Sequence, residues 1–448
     1  MDEDATRWAC WPGAQGPDIG EPTEEVRTAF LCAWELTLGL SIDEICERTG
    51  RGRATVYRAL DYAERLGILD RTVRLALPQG QGARELLDHV TMPPLACRTL
   101  GALRERFGEN APAEVVVVPT SGKGATEEEA THTRARVSRA GARRLMQGVL
   151  GDGVRVIGVS WGLAVRDLAN ALPGGVAQRI PFGVASDITV FSFAGAFLGS
   201  AQRATQMHMV SGNANAVRLR ERMAAFCVEP EPYPPSEAAA PLPPVVLSQP
   251  LMLPEGIAAT PKRLAHVWDL MSEEHSLQKV FGRDWALRRK AQAANTRTRD
   301  GGRAEGSEPP SLLEQADVLV TATGKIDEAI DPRELGTITE EELPALIAEG
   351  TIAGLSSQMV VRPGTLPTAG GAVDRYNSRA VTPQVVDFAA ATRRARLRGR
   401  GLGTMLLGRH PRAEAVHAVV ATGAVNVLVV DSYCAEELVR LCTAEAAQ

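Results

Sequence analysis

The sequence predicts an α/β protein in which a small N-terminal (winged) helix-turn-helix precedes a large, doubly wound parallel sheet. Three observations carry this expectation. Ser41–Leu66 reads as two short helices around a single glycine. From residue 95 onward, apolar runs repeatedly end in small-residue loops that open into helices, the βα unit of parallel sheets. Arg48, Arg51, Arg53 and Arg58 lie within eleven positions that hold no acid, in a chain whose net charge is −5.

In the first of these stretches, Ile42, Ile45, Cys46 and Thr49 recur at helical spacing, and Ser41 with Glu44 has the spacing of a capping box. Gly50 is placed to end that helix in a left-handed conformation. The second helix puts Val56, Ala59, Leu60, Ala63 and Leu66 on one stripe and leaves Arg53, Thr55, Tyr57 and Arg58 on the other. A basic island on an acidic protein marks where DNA phosphates would be met. The expected division of labour gives Arg53, Thr55 and Tyr57 to bases and Arg51 and Arg58 to phosphates. Val26, Phe30, Ala33 and Leu36 predict a supporting helix upstream, and the alternation over residues 67–75 predicts the strands of a wing.

Composition bounds the rest. At 448 residues, with 44% hydrophobic and 23% charged residues, the chain is long enough for two or three domains with full cores. Its acidity argues against general polyanion binding. Seven scattered cysteines without CxxC spacing predict reduced thiols rather than disulfides or zinc, and no metal or other cofactor is expected. The N-terminus is acidic and lacks an apolar run, and no stretch has the length of a membrane span, so a soluble, cytoplasmic protein is expected.

The chain divides into a disordered tail (1–22), the helix-turn-helix domain (23–76), a linker (77–94) and a large domain (95–448). Val115–Val118, Val154–Val159, Ala316–Val320 and Val425–Asp431 are its expected strands, with Ser160-Trp161-Gly162 and Thr321–Lys325 as strand-end loops. Ligands in such sheets bind outside the strand carboxyl ends. A proline-rich connection spans 229–254, helices follow from Pro261 to Phe281, and 288–310 reads as a mobile insertion.

In order along residues 24–440, Ile157-Gly-Val-Ser-Trp-Gly162, Ala316–Val320 with Gly324, Asn377-Ser-Arg379 and Val425–Asp431 followed by Ala435 resemble the SorC family of sugar-responsive regulators, including its DeoR-like members. The resemblance implies an effector domain of the phosphosugar isomerase and CoA-transferase type that binds a phosphorylated sugar and alters operator affinity. It also implies double-stranded operator DNA as partner and a homo-oligomer, dimer or tetramer. Carried across, it places Ser160, Trp161, Gly162, Thr323, Gly324, Asn377, Arg379, Gly408, Arg412 and Asp431 at the effector. Leu163 and Ala164 stand where the family commonly has threonines, and Arg412 keeps a cation where it often has lysine.

Other readings stay open on the residues themselves. Gly158-Val-Ser-Trp-Gly162 has the form of a nucleophile elbow, yet no partner His and Asp follow in matching positions. Trp161 fits a sugar face or a core, and Asp431 fits a sugar hydroxyl or a helix cap. His410 and Arg412 fit ligand contacts or solvated surface, and the five arginines within 393–400 fit a nucleic-acid patch or a solvated face. The alternatives to a sugar-sensing regulator are a phosphosugar-isomerase-type enzyme with a helical appendage, and a regulator that has lost its ligand.

Overall fold

Short apolar runs, separated by helices, become parallel strands because each needs a crossover to reach its neighbour's direction. A computed structural model describes residues 22–37, 41–66, 68–70, 74–75, 93–120, 126–172, 180–181, 187–195, 210–224, 227–228, 245–246, 253, 260–293, 310–326, 338–339 and 341–445. Its helices are α1 (Glu24–Thr37), α2 (Ile42–Thr49), α3 (Arg53–Arg65), α4 (Pro93–Phe107), α5 (Glu127–Leu150), α6 (Leu163–Ala171), α7 (Gly212–Ala224) and α8 (Pro261–Ser272). They continue with α9 (His275–Phe281), α10 (Arg283–Ala293), α11 (Leu312–Gln315), α12 (Glu342–Ala348), α13 (Ala372–Arg379), α14 (Val385–Arg398), α15 (Ala413–Ala421) and α16 (Ser432–Glu445). The strands are β1 (Leu69–Asp70), β2 (Arg74–Leu75), β3 (Glu114–Val118), β4 (Val156–Val159), β5 (Ile180–Pro181), β6 (Thr189–Ser192) and β7 (Cys227–Val228). After β8 (Val245–Val246) come β9 (Val318–Lys325), β10 (Thr351–Leu355), β11 (Gln358–Val361), β12 (Gly403–Leu407) and β13 (Val427–Asp431).

The main sheet runs β3-β13-β12-β9-β4-β6-β8, every neighbouring pair parallel. Period-two alternation divides its side chains between two cores. Val318, Val320, Met405, Leu407, Val427 and Val429 join Val137, Leu145 and Val149 of α5 and Val165 and Leu168 of α6 on one face. Leu319, Leu406, Leu428 and Val430 turn to the other face, against Phe388 of α14, Val416 of α15 and Leu438 of α16. Burial on both faces explains why these runs read as nearly continuous hydrophobes. Gly158 is required by close approach: a Cβ there would lie 2.6 Å from Leu319, 2.7 Å from Phe191 and 2.9 Å from Phe193.

From β4 the chain proceeds outward to β6 and β8, and from β9 it proceeds the opposite way to β12 and β13. The strand order therefore reverses between β4 and β9, where α/β sheets open a crevice. β9 is longer than the sequence predicts. It leaves the parallel sheet after Ala322, and Thr323–Lys325 pair antiparallel with β10. The expected loop at Thr321–Lys325 is thus strand, because β10 satisfies its backbone groups. β10 and β11 form a hairpin closed by Ser356 and Ser357, with φ of +47° and +68°.

Two further boundaries differ from expectation. α4 begins at Pro93, within the stretch assigned to the linker, and proline fits a first helical turn. The expected insertion begins too early at Arg288, since α10 continues to Ala293. Arg289 is buried there, donates to the carbonyls of Asn377 and Ala380 and lies 5.1 Å from the Trp268 ring. Residues 294–309, most of 229–254, 76–92 and 1–21 lie outside the described residues.

The N-terminal unit has its own core, in which Val26, Phe30 and Ala33 of α1 meet Ile45 of α2 and Val56, Ala59, Leu60 and Ala63 of α3. Beside it, β1 and β2 pair antiparallel, Leu69 opposite Leu75. The turn is built as the sequence predicts. Ser41 Oγ accepts from Glu44 N at 3.3 Å, Glu44 Oε2 accepts from Ser41 N at 2.7 Å, and Gly50 closes α2 at φ +63°. Only glycine takes that conformation without strain. The bonds from Ser41 hold the Glu44 carboxyl below its ordinary 4.5.

Ser41→Ala is expected to lower stability by about 1 kcal/mol in chemical denaturation. Because the folded-state pKa of Glu44 is lowered, its contribution is full above the ordinary carboxylate value and is lost as pH falls through the folded value. The gap between wild type and Ser41→Ala should therefore narrow in acid, and a gap constant down to pH 3 would contradict the assignment.

Candidate functional site: the outward helix face and the strand-reversal crevice

Burying the Val56-Ala59-Leu60-Ala63 stripe on α1 leaves the opposite face of α3 outward. Arg53, Tyr57 and Arg58 are exposed there, Thr55 is half-buried, and Arg51 is exposed in the turn just before the helix. The arginines are not equally available. Arg53 holds Asp43 of α2 with both prongs, Nε to Oδ1 at 2.6 Å and Nη2 to Oδ2 at 2.5 Å. Arg51 reaches Glu24 at 3.4 Å. Arg58 lies along its own helix, donating to the Ala54 carbonyl and to Thr55 Oγ1. Arg48, counted in the basic island by sequence, turns inward onto Glu35 at 2.6 Å. The acids that answer these arginines lie outside the Arg48–Arg58 window, so sequence proximity alone overstates the island.

The second region is the crevice where strand order reverses. β4 ends at Val159, and Ser160 and Gly162 then turn the chain into α6, with Gly162 at its N-cap and φ +112°. Asn215 of α7, fully buried, fixes this turn: its Nδ2 lies 3.1 Å from the Ser160 carbonyl and 3.4 Å from those of Gly162 and Val210. Ser160 is buried and its Oγ lies 2.7 Å from Ser356 Oγ at the β10–β11 turn. Trp161 is half-buried against the core of the α14–α16 face. A Cβ at Gly162, or at the paired Gly324 and Gly354 of β9 and β10, would meet no heavy atom within 4 Å.

Across the reversal, Thr323 gives its hydroxyl to the Gly354 carbonyl at 3.1 Å, and its own carbonyl accepts from Arg412 Nη1 at 2.9 Å. Gly408 packs so closely that a Cβ would lie 2.6 Å from Val416. Asp431 is fully buried. One of its oxygens accepts from His410 N at 2.6 Å and the other from Cys434 N at 3.1 Å. It thus serves as the cap of α16 and holds the β12–α15 loop, the second of the two roles its sequence position allowed.

Ser160, Trp161, Gly162, Thr323, Gly324, Gly408, Arg412 and Asp431 are therefore gathered at one edge of the sheet. Asn377 and Arg379 are engaged elsewhere. Asn377 pairs through its side chain with both backbone groups of Met359 and lines a cleft of about 420 Å³ with Gln358, Asp374 and Gln384. Arg379 is buried on Glu342 at 2.8 Å. Both lock α13 onto the hairpin and α12. In the run from Arg393 to Arg400, Arg394 and Arg396 turn back to carbonyls of Leu313, Glu109 and Ala111 and hold layers together.

Sequence reasoning missed Asn215 and the Ser356–Ser357 turn. The turn had a signal, since two residues separate two apolar runs as in a tight hairpin, but serines replace the Asn-Gly that usually marks it. Asn215 had none, because its role arises only when α7 packs beside α6. Among the described residues, no three His, Cys, Asp or Glu side chains gather as metal ligands.

No protein-family model matches the chain, and no curated protein matches it in sequence. Solved structures do resemble it. A DeoR family transcriptional regulator from Listeria monocytogenes is 14% identical with a TM-score of 0.47, covering 77% of this chain and 99% of its own. The full-length sorbitol operon regulator SorC from Klebsiella pneumoniae, also 14% identical with a TM-score of 0.47, covers 93% of this chain and 98% of its own. A putative sugar-binding domain of a transcriptional repressor from Vibrio fischeri has a TM-score of 0.48 at 14% identity, covering 78% of this chain and all of its own.

Proposed function

We propose that the chain is a sequence-specific DNA-binding transcriptional regulator, acting as a homo-oligomer, whose α/β domain senses a phosphorylated sugar or a related small metabolite. The observation that carries the reading is the outward face of α3, with Arg53, Tyr57 and Arg58 exposed on a helix that follows α2 through a glycine turn, Arg51 exposed in that turn, and an antiparallel strand pair alongside. Two short helices set at a tight turn, the second presenting guanidinium groups and a phenol, suit a DNA groove. Arg53, Thr55 and Tyr57 are assigned to bases and Arg51 and Arg58 to phosphates, with the Arg53–Asp43 fork opening when DNA arrives.

The crevice supports a small anionic ligand. The turn into α6 is bare backbone at Gly162, where a Cβ would meet nothing within 4 Å, and Arg412 stands across the reversal beside Thr323. Ser160 contacts another hydroxyl, Ser356, rather than an imidazole or a carboxylate, which favours binding over nucleophilic chemistry. A ligand that prefers one arrangement of this crevice would shift the balance between DNA-bound and free assemblies.

Selection of bound fragments from genomic DNA should return a restricted set of upstream sequences, and recovery of random fragments at low salt would overturn the reading. Arg58→Ala should weaken binding to every DNA sequence and reduce the slope of log K against log salt by about one. An unchanged slope would remove Arg58 from the phosphate contacts.

In a thermal-shift panel of phosphosugars, the cognate compound at about one hundred times its Kd should stabilise the chain by roughly 2.7 kcal/mol. Arg412→Ala should abolish that shift while leaving the unliganded melting temperature within a few degrees. A full shift in the variant would take Arg412 out of the effector site.

A further inference from the structure

Glu35 is an unusual residue for the place it occupies. It lies on α1, the helix that gives Phe30 and Ala33 to the core of the N-terminal unit, and is only 4% exposed. A carboxylate in such a position needs charged partners on both oxygens. It has them, and they come from different parts of the chain. Oε2 takes Arg48 Nη1 of α2 at 2.6 Å, while Oε1 takes Arg136 Nη2 of α5, in the large domain, at 3.3 Å. The residue before Glu35 also meets α5: the Arg143 guanidinium, seven residues beyond Arg136, lies 4.2 Å from the centroid of the Trp34 ring.

Arg136 has a second hold. Its Nη1 donates to the carbonyl of Pro119, the residue after β3 at the carboxyl edge of the sheet. Next to Pro119, Thr120 is tied to the residue that follows β13: its N–H donates to Ser432 Oγ at 3.3 Å and the two hydroxyls lie 3.2 Å apart. Ser432 follows Asp431, which holds His410, two residues from the Arg412 that grips Thr323. A continuous set of bonded groups thus runs from the crevice along the strand ends to Pro119, across Arg136 to Glu35, and into α2 through Arg48.

We propose that Arg136 is the coupling residue between the two parts of the molecule: its planar fork holds the sheet edge with one nitrogen and the helix-turn-helix unit with another, so a shift at the strand ends reaches the recognition helices. Arginine suits this post because one guanidinium offers several donors in fixed directions, whereas lysine offers a single point charge. The inference rests on the regulator reading only for what the moved helices do. The coupling itself is a property of the junction.

Spatial continuity does not by itself establish coupling, so the test measures it. Hydrogen–deuterium exchange of the full chain, without DNA or effector, reports local opening of each segment. Arg136→Met should accelerate exchange across residues 24–65 by about tenfold, the loss expected for a charge-assisted bond to a buried acid, while β4, β12 and β13 keep wild-type rates. Arg144→Met, one face of α5 away and bonded to Glu114 and Asp152 within the large domain, should leave residues 24–65 unchanged.

The decisive variant is Thr120→Val, which touches nothing in the N-terminal unit. It should raise exchange in residues 42–65 in the wild-type background and have no such effect when Arg136 is already Met. No response to Thr120→Val, or the same response in both backgrounds, overturns the proposal. If Arg136→Met does not fold, Arg136→Lys replaces it, and wild-type exchange over 24–65 in that variant overturns the proposal equally. Because no DNA enters these measurements, a chain that selects no genomic fragment would fail the regulator reading while the junction result stands.

Discussion

The position of β9 is the constraint on which the large domain depends. It lies between β12 and β4, buried on both faces, and it is the strand at which the chain's direction of travel across the sheet reverses. Its side chains therefore have to serve two cores by strict alternation, Val318 and Val320 one way and Leu319 the other. Past Ala322 it has no further parallel partner and takes β10 instead, which brings the Ser356–Ser357 turn over Ser160. The shape of the crevice thus follows from how one central strand ends.

The N-terminal unit obeys a different economy. Its hydrophobic core is small, and its helices are fixed by directional contacts: a capping box at Ser41, a left-handed glycine at Gly50, and a buried ion pair between Glu35 and Arg48. Burial pushes the Glu35 carboxyl up and the Arg48 guanidinium down; the charge and hydrogen bond each offers the other oppose both shifts, and the nearby Arg139 also opposes the shift of Glu35. Such a pair adds little net stability but enforces one arrangement, since any slip strands a charge in the core.

What could be read from the sequence divides along these lines. Local features were legible: the two helices of 41–66, their caps, and strands such as Val427–Asp431 are written in spacing and composition. So was the edge of the sheet at which Ser160, Gly162, Arg412 and Asp431 gather, because parallel strands put their terminal loops together. Features created by packing were not. Thr323 and Gly324 look like a loop until β10 arrives to pair with them. Arg289 looks like the start of a polar insertion until Trp268 and two carbonyls enclose it. Asn377 and Arg379 form a short motif whose side chains turn out to serve β11 and α12.

The fork between Arg53 and Asp43 has one more consequence. An anion that takes Arg53 must first displace a carboxylate already seated in bidentate geometry, and that carboxylate belongs to the same helix pair. The rival is present at a fixed local concentration that dilution cannot lower. A lone phosphate arriving anywhere on a duplex offers Arg53 little more than Asp43 does. A groove that presents a planar two-acceptor edge while its backbone engages the neighbouring groups offers more. In the proposed DNA-binding role, this internal carboxylate would set a threshold that mutes contacts that are merely electrostatic and passes those that are also shaped.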